Sequence, residues 1–147
     1  MSITQEEFKY LIGLKKEFKE KDEILLGPSP MTWSRDLNSL NSKDTFIVDF
    51  YRGSIEIKKY TFNKRHRTSI VMLRYDSQGR HTNPPGTDER SFDGPHVHIY
   101  REGFDAQWAF PISELSLAED KNMEEVLRKI FNYCNIINYP VIKRSLF

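Results

Sequence analysis

Residues 45–52 and 55–62 read as two strands whose side chains divide between an apolar face and a charged face. Gly53-Ser54 between them reads as a two-residue hairpin connection. With that turn setting the register, Phe50 faces Ile57 and Phe46 faces Thr61 on an apolar side. Asp49 then faces Lys58 and Tyr51 faces Glu56 on a charge-matched side. Thr68 to Tyr75 holds the apolar run Ile70-Val71-Met72-Leu73, which predicts a central third strand. A fourth strand, His96 to Tyr100, and a fifth, Ala106 to Phe110 stopped by Pro111, complete a meander.

Toward the two ends the period becomes helical. Thr4-Gln5-Glu6-Glu7 is a capping box, and Phe8, Leu11, Ile12 and Phe18 follow at helical spacing to about Lys21. Gly27-Pro28-Ser29-Pro30 opens an irregular segment anchored by Trp33, Leu37 and Leu40. Asn122 and Glu125 start a C-terminal helix with the stripe Val126, Leu127, Ile130, Phe131 and Cys134, and Pro140 lies beyond its end. The expected fold is α+β, one domain over residues 1–147. It is an antiparallel meander of about five strands with an N-terminal and a C-terminal helix packed on one face.

Charge and cysteine content narrow the function classes. Twenty-two Lys and Arg against 21 Asp and Glu leave a formal charge of +1, so contact with nucleic acid has to come from a local patch. The single cysteine, Cys134, excludes an intramolecular disulfide, suits a reducing compartment and reads as a small core residue. No apolar run approaches the roughly 18 residues of a membrane span, and MSITQEEFKY lacks the basic and apolar parts of a signal peptide. The expectation is a soluble cytoplasmic protein with no membrane partner.

Candidate chemistry concentrates between Asp76 and Pro111. Strict alternation in Pro95-His96-Val97-His98-Ile99-Tyr100 puts His96, His98 and Tyr100 on one strand face, with Val97 and Ile99 turned to the core. His81, Asp88, Asp93 and Glu102 lie nearby in sequence. The connection from Asp76 to Pro95 is about 20 residues, beyond the length compact domains use without purpose, and reads as a functional loop. A sheet face bearing Asp49, Tyr51, Glu56, Lys58, Tyr60 and the histidines suits a flat or charged ligand. The same face also suits plain solvation, as antiparallel sheets often show.

Three chemistries fit the histidines. The first is metal-independent RNA cleavage of toxin type, in which imidazoles exchange protons with a ribose hydroxyl and a leaving oxygen. His96, His98, Tyr100, His81 and Arg101 would then be catalytic. Lys64, Arg65, Arg67, Arg80 and Arg90 would bind substrate phosphates, and no cofactor is called for. The second is a metal-dependent hydrolase or oxygenase, with His96 and His98 joined by His81, Asp88, Asp93 or Glu102. There is no CxxC and no HExxH, and a tight structural zinc is not expected. The third is no chemistry at all: the histidines hold the loop, and aromatic side chains anchor a protein partner.

Tyr75-Asp76-Ser77-Gln78-Gly79, His81-Thr82-Asn83-Pro84, Pro95-His96-Val97-His98-Ile99-Tyr100-Arg101-Glu102-Gly103 and Trp108-Ala109-Phe110-Pro111 resemble an uncharacterised family of small proteins from Firmicutes and their phages or mobile elements. The resemblance covers roughly residues 70–112. It implies no catalytic residue. It does imply a setting in a mobile-element conflict system, as a toxin or a phage-encoded inhibitor, with an antitoxin or a host defence complex as partner.

Overall fold

The computed structural model describes residues 2–27, 32–51, 53–63, 66–118 and 122–144, with the backbone alone at 62, 63, 66 and 67. Helix α1 (Gln5–Gly13) starts at the expected capping box. The Thr4 hydroxyl accepts the Glu7 N–H at 3.1 Å, and the Glu7 carboxylate accepts the Thr4 N–H at 3.2 Å. It ends at Gly13, well short of Lys21. Leu14 is already extended, and β1 (Lys16–Phe18) buries alternate residues. Phe18 thus reaches the core through a strand and not through a helical stripe.

The chain continues through β2 (Ile24–Leu26), β3 (Thr32–Ser39), β4 (Thr45–Tyr51), β5 (Ser54–Asn63), β6 (His66–Asp76), β7 (Arg80–Thr82), β8 (Ser91–Asp93), β9 (His96–Ile99) and β10 (Ala109–Phe110). A 3-10 turn (Ile112–Leu115), α2 (Met123–Tyr133) and β11 (Ile142–Arg144) follow. Seven strands form one antiparallel sheet in the order β1-β3-β4-β5-β6-β9-β10, where about five were expected. The pairs β7–β8 and β2–β11 stand apart from it.

Strand β3 was hidden by one polar residue. Trp33, Arg35 and Leu37 stand opposite Phe50, Val48 and Phe46, so Arg35 interrupts an otherwise apolar row. Its guanidinium donates to the carbonyls of Asp22 and Glu23 at 2.6 Å each and lies 5.8 Å from the Trp33 ring centre, which satisfies the charge there.

The β4–β5 register is offset by two residues from the expected one, with a connection of the same length. Tyr51 pairs with Ser54, and Gly53 between them takes the left-handed φ of 84° that the turn needs. Phe50 therefore faces Ile55, and Asp49 faces Glu56. An even shift leaves every side chain on its predicted face, and Lys58 still meets Asp49, diagonally, at 3.0 Å.

Phe46, Val48, Ile55, Ile57, Leu73, Val97 and Ile99 share one buried cluster with Phe8 and Leu11 of α1 and Val126, Leu127, Ile130 and Phe131 of α2. Helix α2 carries the expected Asn122 cap, whose side chain accepts the Glu125 N–H at 2.9 Å. Cys134 is buried in the same cluster. No described helix is long and apolar enough to cross a membrane.

Candidate functional site: a buried histidine–aspartate–arginine cluster

Antiparallel pairing of β6 with β9 sets Arg74 opposite His98 and Asp76 opposite His96. The intervening Leu73, Tyr75, Val97 and Ile99 take the other face and are buried in the core. Alternation along two neighbouring strands thus gathers one guanidinium, one carboxylate and two imidazoles on a single face. Burial of Val97 and Ile99 agrees with the alternation read from sequence.

The face itself is not open. His96 is 2% exposed and His98 1%, because the long connection folds back over them as the β7–β8 hairpin. The His81 ring stands edge-on to His98 at 4.5 Å and stacked on His96 at 5.8 Å, while Phe92 stacks on His96 at 5.7 Å. The hairpin is closed at its base by Gly94 N–H donating to Gly79 carbonyl at 3.0 Å. Both glycines adopt positive φ, 106° at Gly79 and 111° at Gly94, a conformation that a side chain would resist.

Hydrogen bonds fix the ring nitrogens. The His96 Nδ1–H donates to the Gly94 carbonyl at 2.7 Å, which leaves Nε2 facing the Asp76 carboxylate at 3.6 Å. His98 Nε2 lies 3.4 Å from the same Asp76 oxygen and 3.0 Å from Arg74 Nη2. A guanidinium can only donate, so this contact makes His98 Nε2 an acceptor and puts the ring proton on Nδ1. That atom is buried without a partner among the described residues. Arg74 Nε donates to Asp76 at 2.9 Å, and the Ser54 hydroxyl donates to its other oxygen at 2.9 Å.

The electrostatics follow from these contacts. Burial alone would raise the Asp76 pKa, but His98, the Arg74 charge and the Ser54 and Arg74 hydrogen bonds outweigh it and hold the carboxyl at about 2. Burial pushes the His98 pKa down. The Asp76 contact opposes this, and the Arg74, His81 and His96 charges add to the depression. The cluster at neutral pH is therefore an ionised Asp76, a charged Arg74 and a neutral His98.

Of the residues singled out in sequence, His81, His96 and His98 come together. Tyr100 does not join them. Its hydroxyl accepts the Ile3 N–H at 2.8 Å and donates to the Ile3 carbonyl at 2.6 Å, and its ring stacks on Phe8, so it ties the chain start to the core. Arg101 is also elsewhere, exposed, with its guanidinium 5.0 Å from the Trp108 ring centre. Arg90 lies 4.9 Å over Phe92, at the rim of the cluster, and Arg80 is exposed beside Asp93 at 3.6 Å. Lys64 and Arg65 lie outside the described residues, and Arg67 is described by its backbone only. At about 3.3 Å per strand residue, Arg67 and Arg74 are separated by roughly 20 Å along β6, so Arg67 is not beside the histidines.

The carboxylate that meets the histidines is Asp76, not Asp88, Asp93 or Glu102. Asp88 accepts from Asn83 at 2.8 Å and from Arg90 N–H at 2.9 Å inside the loop, and Glu102 accepts the Gln5 N–H. Arg74 was legible as a strand residue, whereas Asp76 reads in sequence as the start of the connection; the strand runs on through Asp76, and the pairing of both with β9 was not legible. Asn83 was missed as a fastener. It is buried, its amide donates to Ala109 carbonyl at 3.0 Å, and its oxygen accepts Ala109 N–H at 2.7 Å. The side chain thereby pairs with β10 as a strand backbone would.

A seven-stranded antiparallel sheet with two helices, carrying a covered His–His–Asp–Arg cluster near one edge, defines a small mixed α/β protein with a preorganised polar site. The chain belongs to DUF6978, a family of unknown function, whose profile matches residues 3–136. No curated protein and no solved structure matches it.

Proposed function

We propose that this protein is a metal-independent ribonuclease of toxin type whose acid–base pair is His96 and His98. The observation that carries the reading is the convergence of two imidazole Nε2 atoms on one carboxylate, bridged by a guanidinium, on adjacent strands. The substrate phosphate takes over the Arg74 guanidinium, the most exposed side chain of the four at 38%, and so frees His98 Nε2. Neutral His98 then removes the proton from the ribose 2′-hydroxyl. The 2′-oxygen attacks phosphorus, the P–O5′ bond breaks, and protonated His96, held by Asp76, gives its proton to the departing 5′-oxygen. The products are a 2′,3′-cyclic phosphate and a 5′-hydroxyl. Arg74 stabilises the charge that builds on the phosphoryl oxygens.

The β7–β8 hairpin lifts from the histidines to admit the strand, hinging at Gly79 and Gly94. Arg90 and Arg80 border that opening and meet the flanking phosphates. The motif resemblance supports a setting in a mobile-element conflict system, with an antitoxin as the protein partner. Purified protein incubated with structured and single-stranded RNA, with and without chelator, tests the reading. Cleavage in chelator that leaves cyclic phosphate ends, lost in His96→Ala, is expected. Absence of cleavage, together with a stoichiometric protein partner from a host extract, would place the protein in the binding class instead.

A further inference from the structure

We propose that Asp76, His96 and His98 form a divalent transition-metal site whose resident cation is the Arg74 guanidinium, and that Zn2+ enters by displacing it. The spacing is the first ground. His96 and His98 Nε2 stand 3.6 and 3.4 Å from one Asp76 oxygen, longer than the roughly 2.7–2.9 Å of a charge-assisted hydrogen bond. Two ligands each about 2.1 Å from a tetrahedral ion lie about 3.4 Å apart, so the carboxylate and imidazoles stand as co-ligands would. One ligand atom from each of the three residues lies within 4.8 Å of the others.

The second ground is orientation. The His96 Nδ1–H is tied to the Gly94 carbonyl, the outer contact that fixes a metal-binding imidazole with Nε2 toward the ion. Two nitrogens and one carboxylate suit zinc or ferrous iron and not calcium or magnesium, which prefer oxygen.

The third ground is Arg74. Its Nη2 and Nε occupy two of the three ligand atoms, so guanidinium and metal cannot be held together. Its side chain is partly exposed and can swing to solvent. The proposal concerns binding and stands apart from RNA cleavage. Where both hold, the metal takes the Nε2 lone pairs and stops the acid–base chemistry.

Calorimetric titration of Zn2+ into tag-free, chelator-stripped protein tests it. One equivalent is expected to bind the wild type, at least tenfold more tightly in Arg74→Gln, and binding is expected to be lost in His98→Ala. Asp76→Asn, close in shape to the native residue, serves as a second ligand variant, with circular dichroism confirming that each variant is folded. Equal affinities in wild type and Arg74→Gln would overturn the competition. Undiminished binding in folded His98→Ala and Asp76→Asn, or no binding in any form, would overturn the site.

Discussion

Asp76 and His98 are each held away from their ordinary protonation behaviour by their neighbours, and both displacements act on stability in the same direction. The unfolded chain protonates His98 near 6.5 and Asp76 near 3.8, whereas the folded chain does so only at lower pH. In both windows the unfolded state binds more protons, so stability falls as pH falls. Thermal melting should therefore show a decline beginning below about pH 6.5 and steepening below pH 4. His98→Gln should flatten the upper part of that decline while leaving the lower part. A melting temperature that rises on acidification through this range would contradict the assignment. At Cys134 the buried thiol is pushed up to about 12, so it should resist a thiol reagent in the native state and react only on unfolding. Reaction in the native state at the rate of a free thiol would count against its burial.

The elements that were hard to read from sequence are those in which a polar residue takes an inward position for a specific reason. Arg35 masked β3, and Lys16 masked β1. Lys16 is fully buried, and its ammonium donates to the carbonyls of Ile12, Leu14 and Cys134 at 3.1, 2.8 and 2.8 Å. It joins the end of α1 to the end of α2. Lys16→Met should cost about 1–3 kcal/mol by leaving those carbonyls without a donor, measured by denaturant unfolding; an unchanged midpoint would show that the carbonyls find other partners.

The existence and length of the long connection were legible, but not its path, because its fastening depends on Asn83 reaching Ala109 of a distant strand. Asn83→Ala should destabilise the protein by about 1–3 kcal/mol and speed amide exchange across residues 80–93 relative to β6. Uniform protection of hairpin and sheet in the variant would show that the hairpin is held by other means.

For the whole molecule, local patterning revealed strand faces and helix caps, and left open which strands are neighbours. The alternation around His96 and His98 was sufficient to turn Val97 and Ile99 inward. It could not show that Tyr100 turns to Ile3, since the strand ends at Ile99. Nor could it bring Arg74 and Asp76 to the histidines, because that requires the β6–β9 register across the intervening loop. Under the proposed function, the formal charge of +1 leaves RNA affinity to a few local groups, so binding should be weak with a shallow salt dependence, set by the small number of phosphates contacted.

The most direct measurement is the single-turnover cleavage rate of one defined RNA in chelator, comparing residues joined in the cluster with residues placed outside it. Asp76→Asn, His96→Ala, His98→Ala and Arg74→Ala should each lose about 10²–10⁴-fold, while Tyr100→Phe and Arg101→Ala stay close to wild type. Retained cleavage in folded His96→Ala and His98→Ala, or no cleavage by the wild type under any of these conditions, would contradict the account.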